Sequence, residues 1–415
     1  MKRVIGYSLL GAALALMLAG PATAADKVSD GVVKIGVLTD LSGIYSDLSG
    51  AGSVLAANMA VKDFGGKVLG KPIQVIKGDT QNSKADIAAN IARKWYDDDH
   101  VDAIVGLVAT NVALAGMEVG KQRHKITLVV GAASLPITDQ KCEPWNVHWI
   151  YDTYSLAVGT GRALVKKGYK NWFFITANYQ FGKSLQKDTT EVIDAGGGKV
   201  VGSVLAPFPT RDFSSFLLKA QSSGAQVIGL ANAGSDTINA VKQAAEFGIM
   251  GSKQIVAPLL LFISDVHSLG LKTAQGMYLT TGFYWDRNKE SREWSKRFFD
   301  AFSKHRMPTM VQAGVYSATL NYLRAVKAAG TDDSDAVMKQ LKSMKISDPV
   351  IPQGHIRADG RLIHNMYLVQ VKKPSESKHP WDYYKIVSTI PGDKAFLPAN
   401  KSVCPLLKQP YHYGK

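Results

Sequence analysis

The sequence predicts an α/β protein made of two similar units, each a mostly parallel sheet wound with helices. Three observations carry this. Short β-branched runs alternate with amphipathic helical stretches from residue 32 onward, and parallel strands need such crossovers between them. The alternation stops over residues 135–154, where Pro136, Cys142 and Pro144 fall in a stretch with no clear period. It then restarts with the same rhythm, giving two units of roughly 120 residues each.

The elements follow in order. Residues 32–38 read as a strand and 49–64 as a helix whose apolar positions include Leu55, Met59 and Val61. Residues 73–77 alternate as a second strand, and a helix over 85–96 ends at the acidic run Asp97 to Asp99. A strand at 103–107, a helix at 113–123 and a strand at 126–130 complete the first unit. The second unit reads as helix 156–167, strand 172–176, helix 184–195, strand 199–205, helix 213–222, strand 227–231, helix 237–247 and strand 254–258. Beyond it come a strand at 277–281 and helices at 292–304, 315–329 and 337–344. Residues 354–357 and 366–372 look like a β-pair around the turn Asp359-Gly360, and 383–390 is a last strand. Pro391, Pro398, Pro405 and Pro410 then argue against further helix.

Composition bounds the compartment and the chemistry. With 46% hydrophobic residues over 415 positions the chain can bury a large core, so it is neither disordered nor fibrous. Lys2 and Arg3 precede an apolar run over 5–18, and Ala22-Thr23-Ala24 offers small residues where a signal peptidase cuts. Residues 1–24 therefore read as a cleaved secretory signal peptide, too short to span a bilayer, and the expected location is periplasmic. A buried N-terminal helix would not account for the charged start, apolar middle and small-residue end together. Two cysteines exclude a disulfide-dense scaffold and a multi-cysteine metal site. The formal charge is +15, or two less once Lys2 and Arg3 leave with the leader, and acidic residues interrupt every basic cluster. No nucleic-acid face is expected from that distribution.

An enzyme of this size is expected to show a nucleophile, a metal set or a phosphate loop. The sequence has no Gly-x-Ser-x-Gly elbow, no His-Glu-x-x-His and no Gly-x-x-x-x-Gly-Lys-Ser/Thr. Ser49-Gly50-Ala51-Gly52 follows a strand and opens a helix, yet it lacks the third glycine of a dinucleotide turn. The nine histidines are scattered, and His100 beside Asp97 to Asp99 reads as a solvated helix end. Neither catalysis nor a cofactor nor a metal is expected.

The run Val33-Lys34-Ile35-Gly36-Val37-Leu38-Thr39-Asp40-Leu41-Ser42-Gly43 opens the first unit. Gly78-Asp79-Thr80-Gln81-Asn82, Val105-Gly106-Leu107-Val108-Ala109-Thr110 and Gly131-Ala132-Ala133-Ser134 follow its later strands. With Asn178-Tyr179-Gln180-Phe181-Gly182 and Asp212-Phe213-Ser214, their order and spacing over residues 31–370 resemble the leucine/isoleucine/valine-binding protein family, the solute receptors of ABC importers. The resemblance implies a type I periplasmic binding protein fold, two Rossmann-like lobes joined by three crossing segments with a ligand cleft between them. On it, residues 31–150 and 282–350 form the first lobe, 153–279 and 353–395 the second, and 396–415 a C-terminal tail. Ligands in such receptors sit at the carboxyl ends of strands, and closure is a hinge motion.

The same resemblance places ligand contacts at Thr110, Ala132, Ala133 and Ser134, and at Tyr154, Phe181, Asn232, Ala233 and Leu259. Thr110 opens a helix just after a strand, where amides and neighbouring hydroxyls suit a carboxylate without a full positive charge. An ordinary helix cap is the plainer role for it. Phe181 stands where the family commonly has a tyrosine, and Pro258-Leu259-Leu260 lacks the acidic residue that amino-acid receptors set against the ligand's ammonium. A buried ammonium without a partner is costly. The expected ligand is therefore a small carboxylate, with an apolar or aromatic acid favoured and an amino acid as the alternative. Trp145, Trp149, Tyr151 and Tyr154 at the first crossing, with Phe283, Tyr284 and Trp285 at the second, offer flat apolar walls, hinge packing being the plainer reading of any one.

Cys142 and Cys404 either form a disulfide that closes a very long loop and anchors the tail, or remain two buried thiols. The expected partners are a small-molecule ligand and an ABC permease in the inner membrane, the chain acting as a monomer. A ligand sensor of a signalling system uses the same fold, and an enzyme on this scaffold is a third reading that the missing catalytic set argues against.

Overall fold

The computed structural model describes residues 28–250 and 253–414; the expected leader lies outside them. The first lobe is a six-stranded sheet of β1 (Val33–Thr39), β2 (Lys67–Val68), β3 (Lys71–Asp79), β4 (Ala103–Gly106), β5 (Ile126–Val129) and β6 (Asn146–His148). Its order is β2-β3-β1-β4-β5-β6, parallel throughout except for β2, which folds back on β3. Every residue of β4 and β5 is buried. Both faces of these strands are covered by helices, which is why they read as unbroken apolar runs. β6 lies inside the stretch that shows no period, because three residues are too few to display one.

The second lobe holds β7 (Asn171–Ala177), β8 (Lys199–Ala206), β9 (Val227–Ala231) and β10 (Ile255–Pro258), all parallel in the order β10-β9-β7-β8. Then come β11 (Tyr278–Thr281), β12 (Lys345–Ile346), β13 (Gly354–Ile356), β14 (Leu362–His364), β15 (Met366–Val371) and β16 (Tyr384–Ile390). The expected pairing of 354–357 with 366–372 is corrected here. β13 pairs with β14 across the Asp359-Gly360 turn, while β15 lies between β11 and β16. A tight turn joins the strands that flank it directly, and Gly360 supplies the positive φ of +85° that the turn needs.

Two first-lobe helices begin earlier than their apolar periods suggest, and capping explains both. Thr309 accepts from the Gln312 amide while Gln312 accepts from the Thr309 amide, starting Met310–Ala329. Asn288 and Ser291 do the same for Lys289–Ala301. The helix Met310–Ala329 is buried along nearly its whole length and forms the spine of the first lobe. Among the described residues no helix is long and apolar enough to cross a membrane.

The range 353–395 expected for the second lobe divides by its pairing. β13 pairs with both β12 and β14, and Arg361 just before β14 bridges to His148 of the first sheet, whereas β15 pairs with both β11 and β16. We therefore propose a third crossing near Asn365, the other limits being kept as expected. After β16 the chain returns to the first lobe. Ser402 and Val403 both donate to Asp139 at 2.7 Å, and Cys404 is joined to Cys142 in a disulfide with a Cα separation of 5.9 Å.

Candidate functional site

Seven of the parallel strands, β1, β4, β5, β6, β7, β9 and β10, are followed by loops whose residues line one cavity between the lobes. Tyr45 and Leu48 follow β1, Ala109 and Thr110 follow β4, Gly131 to Ala133 follow β5, and Tyr151 follows β6. From the second lobe, Tyr179 and Phe181 follow β7, Ala233 follows β9, and Leu260 and Phe262 follow β10. This is where an open α/β sheet places its ligands. The cavity is narrow and its lining is mostly apolar, with the two lobes in contact around it.

One wall is built to present amide hydrogens. The carbonyls of Gly131, Ala132 and Ala133 are all engaged within the protein, accepting from the Tyr151 hydroxyl at 2.7 Å, the His148 ring at 2.7 Å and the Thr153 amide at 2.7 Å. Burial, aided by the neighbouring Arg361 cation, pushes the His148 pKa far down, so the ring is neutral and its Nε2–H can donate. Among the described residues the amides of Ala133 and Ser134 have no protein acceptor. Beside them the helix Thr110–Gln122 begins, and its first-turn amides have no acceptor within the helix. The hydroxyls of Thr110 and Ser134 bond each other at 2.8 Å. Leu107 and Ala109 hold positive φ angles of 55° and 71° in the loop that aims this helix, a strained geometry typical of functional loops. Together these groups gather hydrogen-bond donors and no charge on one wall of the cavity.

The opposite wall is apolar and aromatic. Tyr45 and Tyr179 meet across the lobes, hydroxyl to hydroxyl at 2.6 Å. Phe208 stacks on Tyr179 at 4.3 Å and on Tyr45 at 5.8 Å, closing the mouth. Burial raises both tyrosine pKa values well above normal, so both hydroxyls stay protonated. Ser235 also donates across the gap to the Ile44 carbonyl at 3.3 Å. Among the described residues no Lys, Arg, Asp or Glu lines the cavity.

Of the residues expected from the sequence, Thr110, Ala132, Ala133, Phe181 and Ala233 line this cavity, and Ser134 is held against it through Thr110. Tyr154 does not. The Asp152–Ser155 capping box starts a helix at Thr153, and that turn carries Tyr154 to a different groove. Leu259 is fully buried in the core while the next residue, Leu260, faces the cavity. Asn232 is also fully buried outside the lining, and neither side-chain atom finds a partner. Among the crossing aromatics only Tyr151 reaches the cavity. Trp149 donates to Ser317 and Trp285 to the Trp381 carbonyl, Trp145 stacks on His124, and Phe283 packs on Trp294, all as hinge and core packing. Sequence reasoning missed Tyr45, Leu48 and Phe262, whose loops carry no motif; their one signal was position just after a strand.

A family model described as periplasmic binding protein matches residues 32–378. A crystal structure of a periplasmic binding protein from Burkholderia mallei is 53% identical, with a TM-score of 0.88, over 91% of this chain and 99% of that one. A branched chain amino acid ABC transporter periplasmic ligand-binding protein from Burkholderia xenovorans is 41% identical, with a TM-score of 0.81, over 90% of this chain and 100% of that one. The Leu/Ile/Val-binding protein homolog 6 of Brucella melitensis is 25% identical over 88% of this chain and 94% of its own length. A Rhodopseudomonas palustris ABC transporter solute binding protein in complex with 3,4-dihydroxybenzoic acid, 22% identical over 88% of this chain and 98% of that one, shares the fold with a TM-score of 0.79. Family model and relatives, joined to a cleft at the strand ends between two lobes, lead to one assignment: the chain belongs to the periplasmic binding protein family, as a solute-binding protein of the ABC-transporter type.

Proposed function

We propose that this protein captures a small carboxylate with an apolar or aromatic body in the cleft, closes over it, and delivers it to an ABC permease without transforming it. One observation carries the ligand class: the cavity offers a cradle of amides and hydroxyls for a single anionic group and no charged side chain for a cation. Neutral donors suffice for a carboxylate in a dry site, whereas an α-ammonium would be buried without a counter-charge. The aromatic wall of Tyr45, Tyr179 and Phe181 suits a flat ring. The dihydroxybenzoate held by the Rhodopseudomonas palustris relative agrees with this class, although that relative shares only the fold.

A second reading, a branched-chain amino acid, is favoured by the description of the 41% identical Burkholderia xenovorans protein. A thermal-shift and calorimetric screen with benzoate, 4-hydroxybenzoate, isovalerate and leucine separates the two, because a ligand that binds only the native state raises the melting temperature. Binding of the acids with no response to leucine is expected. Binding confined to leucine and other zwitterions would sink the proposal.

A further inference from the structure

A second opening lies away from the cleft and shares no lining residue with it. Its walls are the helical run 153–166, the helix Gln180–Ala195, and the disulfide-anchored tail at Leu397 and Lys401. It is a broad groove open to solvent. The rim is cationic. Arg162, Lys166 and Lys401 are exposed and, among the described residues, have no ion pair or hydrogen bond. Glu191, the exposed acid on the same rim, is already held by Lys187 at 2.6 Å.

The floor carries the second observation. Asp188 is only 3% exposed, and its Oδ2 has no hydrogen-bond partner. A buried carboxyl oxygen without a protein donor is costly, and a ligand O–H or a water can supply the missing hydrogen bond. Burial above all, with a contribution from the Asp152 carboxylate and against a hydrogen bond from Thr153, lifts the Asp188 pKa to about 7. Unpaired cations lining the same groove as a buried acceptor fit an oxyanion that also has a proton to donate.

We propose that this groove is a binding site for a hydroxyl-bearing oxyanion, its anionic oxygens at Arg162, Lys166 and Lys401 and its O–H donated to Asp188 Oδ2. Monohydrogen phosphate and a small hydroxy acid both have this chemistry. The proposal is independent of the cleft ligand, and its test uses none.

The full chain is titrated calorimetrically with inorganic phosphate, lactate and sulfate near pH 8, about a unit above the Asp188 pKa, so that its carboxylate accepts. Saturable binding of phosphate or lactate is expected, with sulfate, which has no proton to give, roughly tenfold weaker or more. A response to phosphate alone assigns a phosphate-type ligand, and to lactate alone a hydroxy acid. Lys166→Glu combined with Lys401→Glu changes two exposed residues, so the melting temperature should hold while affinity falls roughly tenfold or more. Asp188→Asn should bring phosphate and sulfate to equal affinity. No saturable binding, or equal binding of all three anions that ignores the double lysine change, overturns the proposal.

Discussion

Gly234 stands where the lobes touch, and adding one methyl group there tests whether closure makes the site. Its φ is +59°, and a Cβ would lie 2.9 Å from the Ile44 carbonyl and 2.9 Å from the Tyr45 ring, both on the opposite lobe. In Gly234→Ala two costs arise and they separate cleanly. The backbone strain, about 1–3 kcal/mol, is present whether the lobes are open or closed, so it lowers stability without touching affinity. The clash exists only when the lobes meet. Overpacking of this kind costs about 1–3 kcal/mol, which converts to a loss of roughly 5- to 150-fold in Kd. Calorimetry with the best acid from the screen reads the second cost, and thermal melting without ligand reads the first. An unchanged Kd beside a lowered melting temperature would refute the reasoning, because it would mean that these lobes do not meet here when ligand is bound.

The Tyr45–Tyr179 pair offers a double-mutant cycle. Tyr45→Phe or Tyr179→Phe alone strands a hydroxyl in the closed state and should weaken binding by about 1–2 kcal/mol, while the double change costs less than the sum; strictly additive losses would mean that the bond is not made in the complex. Reducing the Cys142–Cys404 disulfide frees a loop of sequence separation 262. Chain entropy assigns up to about 5 kcal/mol to such a closure, so reduction, or Cys142→Ser with Cys404→Ser, should lower the melting temperature by several degrees and leave cleft affinity nearly unchanged. For Asp265, burial against its hydrogen bond from the Phe262 amide raises the pKa to about 7. A folded-state pKa above the unfolded one gives a contribution that is complete in acid and lost as pH rises through about 7. The melting temperature of Asp265→Asn relative to the unaltered protein should therefore climb from about pH 4 to about pH 7 and level off above it, and a flat difference across that window would contradict it.

The alternation of apolar runs and helical stretches was legible for nearly every parallel strand, because strands covered on both faces are written as short apolar runs. Part of the cavity lining was legible too. Thr110, Ala132 and Ala133 sit directly after two such strands, and strand ends gather at one edge of a parallel sheet. Tyr154 was misplaced because a single helical turn after Asp152 decides its direction, and nothing in the local sequence distinguishes the two sides. The aromatic crossings failed for a related reason: a ring fills a hinge as well as it lines a cleft, and composition does not tell these apart.

The amino-acid sequence by itself determined the two α/β units, the order of strands along the chain, the small-residue turns that can present amides, and the two cysteines available to pair. Those properties are local, set by periodicity, turn chemistry and residue type. The tertiary structure decided which loops share a space. It brought Tyr45 to Tyr179 across 134 positions of chain, set β14 beside β6 rather than with the second lobe, and joined Cys142 to Cys404. Such meetings depend on how two sheets are packed and hinged, a long-range balance of burial and chain entropy that no short window of sequence contains.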